Sequence, residues 1–204
     1  MRSICRIKDA IVNRLLYFVN RCQYREWHKS SSIKAPLYIS NKKFISVGNN
    51  VRIMHHARIE AVCSYAGVKF NPELIISDNV TIQQNAHITC ASRVEIGNST
   101  AIVANVTITD IVHPYSSEDI HLIKHPIITK PVSIGSFCGI YNNVVINAGV
   151  KIGSHVTVGA NSVVTSDIPD YCVAVGAPAY IVKRYNPDTG LWEKTDKQGN
   201  FILK

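Results

Sequence analysis

The stretch IGSFCGIYNNVVINAGVKIGSHVTVGANSVVTSDI, residues 134–168, decides the fold. Ile134, Ile140, Ile146, Ile152, Val158 and Val164 recur every six residues without a break. Four places after each stands a small or branched residue: Cys138, Val144, Val150, Val156, Ser162 and Ile168. Glycine follows the aliphatic directly at Gly135, Gly153 and Gly159. Neither the period of an amphipathic helix nor the alternation of a half-buried strand yields a spacing of six. A fixed repeat is instead the mark of a solenoid.

The same spacing appears earlier in shorter runs. Val47, Ile53 and Ile59 pair with Val51, Ala57 and Cys63; Ile76, Ile82 and Ile88 pair with Val80, Ala86 and Ser92. Ile96, Ile102 and Ile108 follow, with Thr100 and Val106. Each unit reads as a short strand and a corner, and three units close a triangular coil. The aliphatic and the small residue four places on are expected to point inward, with Gly or Asn taking the corner conformation that other residues reach at a cost. Coils then stack at the strand spacing of about 4.8 Å and bury their aliphatics against one another. A β-sandwich would need irregular spacing and more turn residues. The fold class is therefore an all-β solenoid, a parallel β-helix over residues 36–169.

Two breaks interrupt the register, at Ser64–Leu74 and at Asp110–Pro131. The second is an extruded loop, 110–131, carrying His113, His121 and His125 with three prolines. A long excursion from a rigid scaffold is where function tends to sit.

The chain of 204 residues is 46% hydrophobic with a formal charge of +8. Residues 1–34 hold eight Lys/Arg against Asp9 and Glu26, so most of the excess lies there. Within 1–35, residues 4–28 read as an amphipathic helix with Ile4, Ile7, Ile11, Leu15, Phe18 and Cys22 on one face. That face is expected to dock on the solenoid, whose open end needs covering. The alternative is peripheral contact with an anionic membrane through residues 1–34. The charge forms no stripe on the repeats, which argues against nucleic acid as a partner. No apolar run is long enough to span a bilayer, and no secretory signal is recognisable, so a cytoplasmic location is expected. Six scattered cysteines without a Cys-x-x-Cys pair suit reduced thiols. Residues 170–204 form a closing segment, Ala174-Val-Gly-Ala-Pro-Ala-Tyr-Ile-Val-Lys-Arg184, and a polar tail.

The coils, the loop bearing His113-Pro114 and the closing Val175-Gly-Ala-Pro-Ala179 together resemble the left-handed β-helix acyltransferase superfamily. Within it the chain is most similar to maltose/galactoside-acetyltransferase-like enzymes and to O-antigen and capsular polysaccharide O-acetyltransferases. The resemblance covers roughly residues 45–185 and extends to the N-terminal helix. It implies a left-handed helix, acetyl-CoA as co-substrate without a metal, a saccharide acceptor, and a homotrimer with sites between subunits. It carries the catalytic base over to His113. An imidazole suits the task, because a sugar hydroxyl must lose its proton as it attacks the thioester carbonyl. Asp110 is the candidate to orient the ring through its other nitrogen.

By the same resemblance Asn142, Ala160, Thr165 and Ser166 line the pantetheine and phosphate path. Gly176, Ala177 and Pro178 shape the adenine end, with Lys183 and Arg184 near the phosphates. Gln83, Asn85 and His87 face the acceptor, their polar groups suited to sugar hydroxyls. Where many relatives have Trp-Ile-Gly, this chain has Gly139-Ile140-Tyr141, and Tyr141 partly replaces the indole. Cys138 and Cys63 fill small inward slots, so direct transfer is expected instead of a covalent acyl-enzyme. Other readings stay open: N-acetylation of a nucleotide-linked amino sugar, a gamma-carbonic-anhydrase-like zinc protein using His121, His125 and His87, or a non-catalytic scaffold. His121 and His125 are spaced His-x-x-x-His rather than that family's His-x-x-x-x-His, and Pro126 argues against a helical pair.

Overall fold

A computed structural model describes residue 15, residues 17–115 and residues 121–202. Three sheets of parallel strands run along the molecule, and the chain visits them in turn. The first sheet holds Glu26–Trp27, Ile45–Val47, Glu73–Ile76, Arg93–Ile96, Val132–Ile134 and Lys151–Ile152. The second holds Ser32–Ile33, Arg52–Ile53, Thr81–Ile82, Ala101–Ile102, Gly139–Ile140, Thr157–Val158 and Cys172–Gly176, and ends in the antiparallel strands Ala179–Asn186 and Leu191–Lys194. The third holds Tyr38–Ser40, Arg58–Ala61, His87–Cys90, Thr107–Thr109, Val145–Ile146 and Val163–Val164. This is the parallel β-helix expected from the repeat.

Residues one coil apart pair directly, such as Ile96 with Ile134, Ile102 with Ile140 and Ile108 with Ile146. Each inward aliphatic therefore stacks on its own kind, and from Val47 onward these positions are buried. Each such side chain contributes roughly 1.5–3 kcal/mol relative to exposure. The inward Thr100 is satisfied locally. Thr100 Oγ1 donates to the Gly135 carbonyl at 2.8 Å and accepts from the Cys138 amide at 3.1 Å.

The structure departs from the sequence reading at four points. The first coil starts at Glu26 rather than 36, because Trp27, Ile33 and Ile39 pair with Val47, Ile53 and Ile59. Those three already keep the six-residue spacing, with an indole in the aliphatic slot. Consequently the N-terminal helix does not reach residue 28: helical residues 17–23 give way to the strand at Glu26. The expected Ile4, Ile7 and Ile11 lie outside the described residues.

After Ile59, Ile88 and Ile108 on the third sheet the inward slot falls two places after the aliphatic, whereas after Ile146 and Val164 it falls four places on, at the buried Val150 and Ile168. Ala61 and Cys90 are buried, whereas Cys63 and Ser92 are only half-buried. The cause is a longer strand: Arg58–Ala61 and His87–Cys90 pair over four residues and carry the chain further before it turns.

Glycine supplies one left-handed corner of the repeat, Gly149 at φ +86, and other residues supply the rest. They include Asn50, Asn79, Ser99, Phe137, His155 and Tyr171 on one corner, and His56, Asn85, Asn105, Asn143 and Asn161 on the next. Asparagine tolerates this conformation, and its amides form a ladder: Asn85 donates to Asn105 at 3.0 Å, Asn105 to Asn143 at 2.9 Å, and Asn143 to Asn161 at 2.8 Å. Bulky rings at positive φ are uncommon. Here Phe137 stacks on His155 at 4.9 Å and His155 on Tyr171 at 4.6 Å, which offsets the local cost. Gly135 serves close approach instead: a Cβ there would lie 2.6 Å from backbone atoms of Gly153 and Ser154 in the next coil.

That contact yields a contrast. Gly135→Ala is expected to destabilise the protein by about 1–3 kcal/mol in urea unfolding, because backbone in two coils must move. Gly139→Ala, whose Cβ would meet only the Tyr141 ring edge at 3.3 Å, should change the midpoint little.

Candidate active site

Both register breaks leave the solenoid at the same corner, where the third sheet ends. The first, after Ala61, is a hairpin pairing Ser64–Tyr65 with Val68–Lys69. The second rises on an antiparallel stem, Ile111 opposite Thr129 and Val112 opposite Ile128, and so places His113 at the top of a paired ribbon. The two excursions meet: the Tyr65 ring lies edge-on to the His113 imidazole, centroids 5.5 Å apart and planes at 69°. His113 is otherwise exposed. In sequence, Ser64–Leu74 reads only as a gap. Its hairpin signal is Ala66-Gly67 between Tyr65 and Val68, both turn residues having positive φ.

Asp110 is the root of the ribbon, and its role differs from the one expected. Its side chain is fully buried, and its carboxylate accepts the amide N–H groups of Ala91 at 2.8 Å, Ser92 at 2.7 Å and Arg93 at 2.9 Å. Those oxygens therefore hold the corner of the preceding coil instead of the His113 ring. The reason is register: Asp110 sits two places after Ile108, in the inward slot filled by Ala61 and Cys90 in the coils before it. Its carbonyl accepts the Lys130 N–H at 2.8 Å, which closes the base of the loop. Burial pushes the Asp110 carboxyl up, against the three amides that pull it down. The neighbouring Cys90 thiol is pushed up by burial first and by Asp110 second.

The outer face of the third sheet carries a polar wall. The Arg58 guanidinium bonds the Glu60 carboxylate, and His87 Nε2 lies 3.5 Å from Glu60 Oε1. Arg58 chiefly, with His87 as a smaller influence, holds the Glu60 carboxyl below the usual range in spite of partial burial. A depression of about 510 Å³ borders this wall, lined by Leu37, His56, Arg58, Asn85, Ala86 and His87. Glu60 and Arg58 were not anticipated; their alternation in Arg58-Ile59-Glu60 is the signal that puts both on one outer face. Gln83 lies half-buried where the chain leaves the second sheet. Asn85 commits its amide N–H to the corner ladder, so it is first a scaffold residue.

The residues expected around the acyl donor divide between corners. Asn142, Ala160 and Tyr141 are exposed on the corner between the second and third sheets, the Tyr141 ring resting against Gly139. Thr165 and Ser166 are exposed on the corner from which the excursions rise. Gly176, Ala177 and Pro178 form the tight turn after Cys172–Gly176, with Gly176 at φ +105 and a cis Ala177–Pro178 peptide. Ser162 ties this turn to the last coil: its Oγ donates to the Gly159 carbonyl at 2.7 Å and accepts the Gly176 N–H at 3.0 Å.

Arg184 does not join that turn. It stands opposite Cys172, at the far end of the antiparallel pair from Gly176 and Ala179. Its Nη1 donates to the Gly199 carbonyl at 3.2 Å and its guanidinium faces Phe201. Lys183 is exposed. Cys138 is buried, donates to the Gly153 carbonyl at 3.0 Å, and has its thiol pushed up by burial, all of which disfavours a nucleophile. His121 Nδ1 accepts the Ile123 N–H at 3.3 Å. Among the described residues no group of three or more His, Cys, Asp or Glu side chains is arranged to hold a metal ion.

Comparison with known proteins agrees with this architecture. Residues 131–166 match the bacterial transferase hexapeptide (six repeats) family. The chain is 35% identical over 195 residues to WbbJ of Escherichia coli (strain K12), named as a lipopolysaccharide biosynthesis O-acetyl transferase, spanning 92% of this chain and 91% of that one. It is 39% identical over 94 residues to the galactoside O-acetyltransferase of the same organism, covering 46% and 45% of the two chains. Among solved structures, a point variant of the Bacillus cereus N-acyltransferase AntD is similar in fold, with a TM-score of 0.60, 23% identity, and 84% and 89% coverage of the two chains. The hexapeptide-repeat acetyltransferase VCA0836 of Vibrio cholerae gives 0.58, 23% identity, and 88% and 90% coverage. Its coils, its ribbon bearing His113 and its likeness to WbbJ along nearly the whole chain make this protein a member of the hexapeptide-repeat acyltransferases.

Proposed function

We propose that this protein transfers an acetyl group from acetyl-CoA to a hydroxyl of a saccharide, in the cytoplasmic synthesis of a bacterial surface polysaccharide such as O-antigen or capsule. The observation that carries the reading is His113, an exposed imidazole held on a paired ribbon with Tyr65 edge-on to it. In the reaction the acceptor hydroxyl gives its proton to the His113 imidazole while its oxygen attacks the thioester carbonyl. The C–S bond then breaks, and the thiol sulfur leaves with a proton returned by the imidazole. No acyl-enzyme is formed.

Asp110 acts at one remove, by fixing the root of the ribbon on which His113 rides. Glu60, Arg58 and His87 offer donors and acceptors for sugar hydroxyls, with Gln83 and Asn85 at the rim. Small exposed residues favour a thiol arm on the opposite corner: Ala160, and the Gly176-Ala177-Pro178 turn pinned by Ser162, with Asn142 and Tyr141 beside them. Thr165, Ser166 and Lys183 remain free to meet phosphate, whereas Arg184 is engaged by the tail. His113 is exposed on one chain, which fits a left-handed helix assembled as a homotrimer with the site completed by a neighbour. The O-acetyl reading is preferred to N-acylation of an amino sugar because the likeness to WbbJ runs the length of the chain.

Release of free thiol from acetyl-CoA across a glycan panel tests the activity. His113→Ala is expected to lower kcat by about 10²–10⁴-fold with KM little changed, as for loss of a positioned base. Cys138→Ala should retain turnover; a covalent route would abolish it. Absence of release with every acceptor, together with no CoA binding, would overturn the reading. Asp110→Asn leaves amides of the corner facing an NH2 group, and should cost about 1–3 kcal/mol of stability in urea unfolding while preserving CoA binding.

A further inference from the structure

The face of the N-terminal helix that meets the solenoid is not its apolar one. Tyr17 packs on the core, Asn20 and Tyr24 are buried, and the Tyr24 ring packs against Trp27, tilted by 50° with centroids 4.7 Å apart. Leu15, Phe18, Val19 and Cys22 lie on the opposite side of the helix by its periodicity, and all four are exposed, Leu15 by 64%, Phe18 by 57% and Val19 by 51%. The expectation that this stripe docks on the solenoid is thus reversed. Leu37, 68% exposed on the first coil, lines one groove with Val19, so the apolar surface continues from the helix onto the solenoid's end. In sequence the same stripe extends back through Ile11, Ile7 and Ile4.

The surroundings are cationic. Arg21 is exposed on the helix, and Lys29, Lys34 and Lys43 on the first coil and its approach, with Glu26 the exposed acid among them. The eight Lys/Arg of residues 1–34 face two acids in sequence. An apolar stripe flanked by cations is the chemistry of a helix lying in the plane of an anionic bilayer. Among the described residues no helix is long and apolar enough to cross a membrane.

We infer that this end of the solenoid rests on an anionic lipid surface, Leu15, Phe18, Val19 and Leu37 entering the headgroup–acyl boundary and the cations meeting lipid phosphate. The inference builds on the proposed transfer reaction: it makes the acceptor class a lipid-linked saccharide presented at that surface. A second copy of the chain is the competing occupant, but a self-contact would bring like charges together.

The test is co-sedimentation of the full chain with vesicles of phosphatidylethanolamine and phosphatidylglycerol, against vesicles of phosphatidylcholine alone. Binding is expected on the anionic vesicles and should weaken with added salt. The double variant Phe18→Ser, Val19→Ser should partition about tenfold more weakly or worse, with an unchanged urea midpoint and unchanged mass by light scattering. Equal binding to both vesicle types, or by both proteins, overturns the inference. So does a change in oligomeric mass in the variant, which assigns the face to a neighbouring copy. Thiol release with a soluble acceptor is read separately, so loss of vesicle binding and failure of the transferase reading give different results.

Discussion

In-register stacking of one coil on the next is the constraint on which everything else here depends. Because each inward aliphatic lies over its counterpart, as Ile96 lies over Ile134 and Ile134 over Ile152, the backbone of one coil dictates where the next must run. Corners repeat at the same height, and the residues there stack as well. That is why an asparagine ladder forms on one edge and Phe137, His155 and Tyr171 pile up on another. Gly135 follows from the same rule, since adjacent backbones leave no room for a side chain at that point.

A scaffold this regular can vary only where the chain leaves it. Both departures occur at the corner after the third sheet, following Arg58–Ala61 and Thr107–Thr109. Asp110 shows how the exit is secured. A carboxylate in an apolar slot would be costly alone, but three amides of the preceding corner meet it, and its own carbonyl fastens the returning strand. The buried acid therefore converts a rigid core position into a fixed root for a ribbon that carries His113 away from the core.

The solenoid's two ends are treated differently. At the C-terminal end, an antiparallel hairpin extends the second sheet, and Arg184 ties the tail to it. At the N-terminal end, a helix is fastened by Tyr17, Asn20 and Tyr24 over the first coil. The polar wall and the ribbon lie between these ends, so the proposed lipid contact at the N-terminal end would leave both accessible.

Sequence periodicity by itself determined the coil, its inward columns and the location of the long loop, because a six-residue spacing has a single structural solution once coils stack. It could not reveal which residues the two excursions bring together, since Tyr65 and His113 are 48 positions apart and only three-dimensional stacking puts their corners on one edge. Register inside the third sheet was likewise invisible. A longer strand moves the inward slot from Cys63 to Ala61, and the same slot, two places after Ile108, turns Asp110 from an expected partner of the imidazole into a buried anchor. The N-terminal helix carried a clear apolar stripe, yet periodicity is silent on which face meets the solenoid. Tertiary packing decided that, because two large rings, Tyr17 and Tyr24, fill the open first coil and leave Leu15, Phe18 and Val19 to solvent.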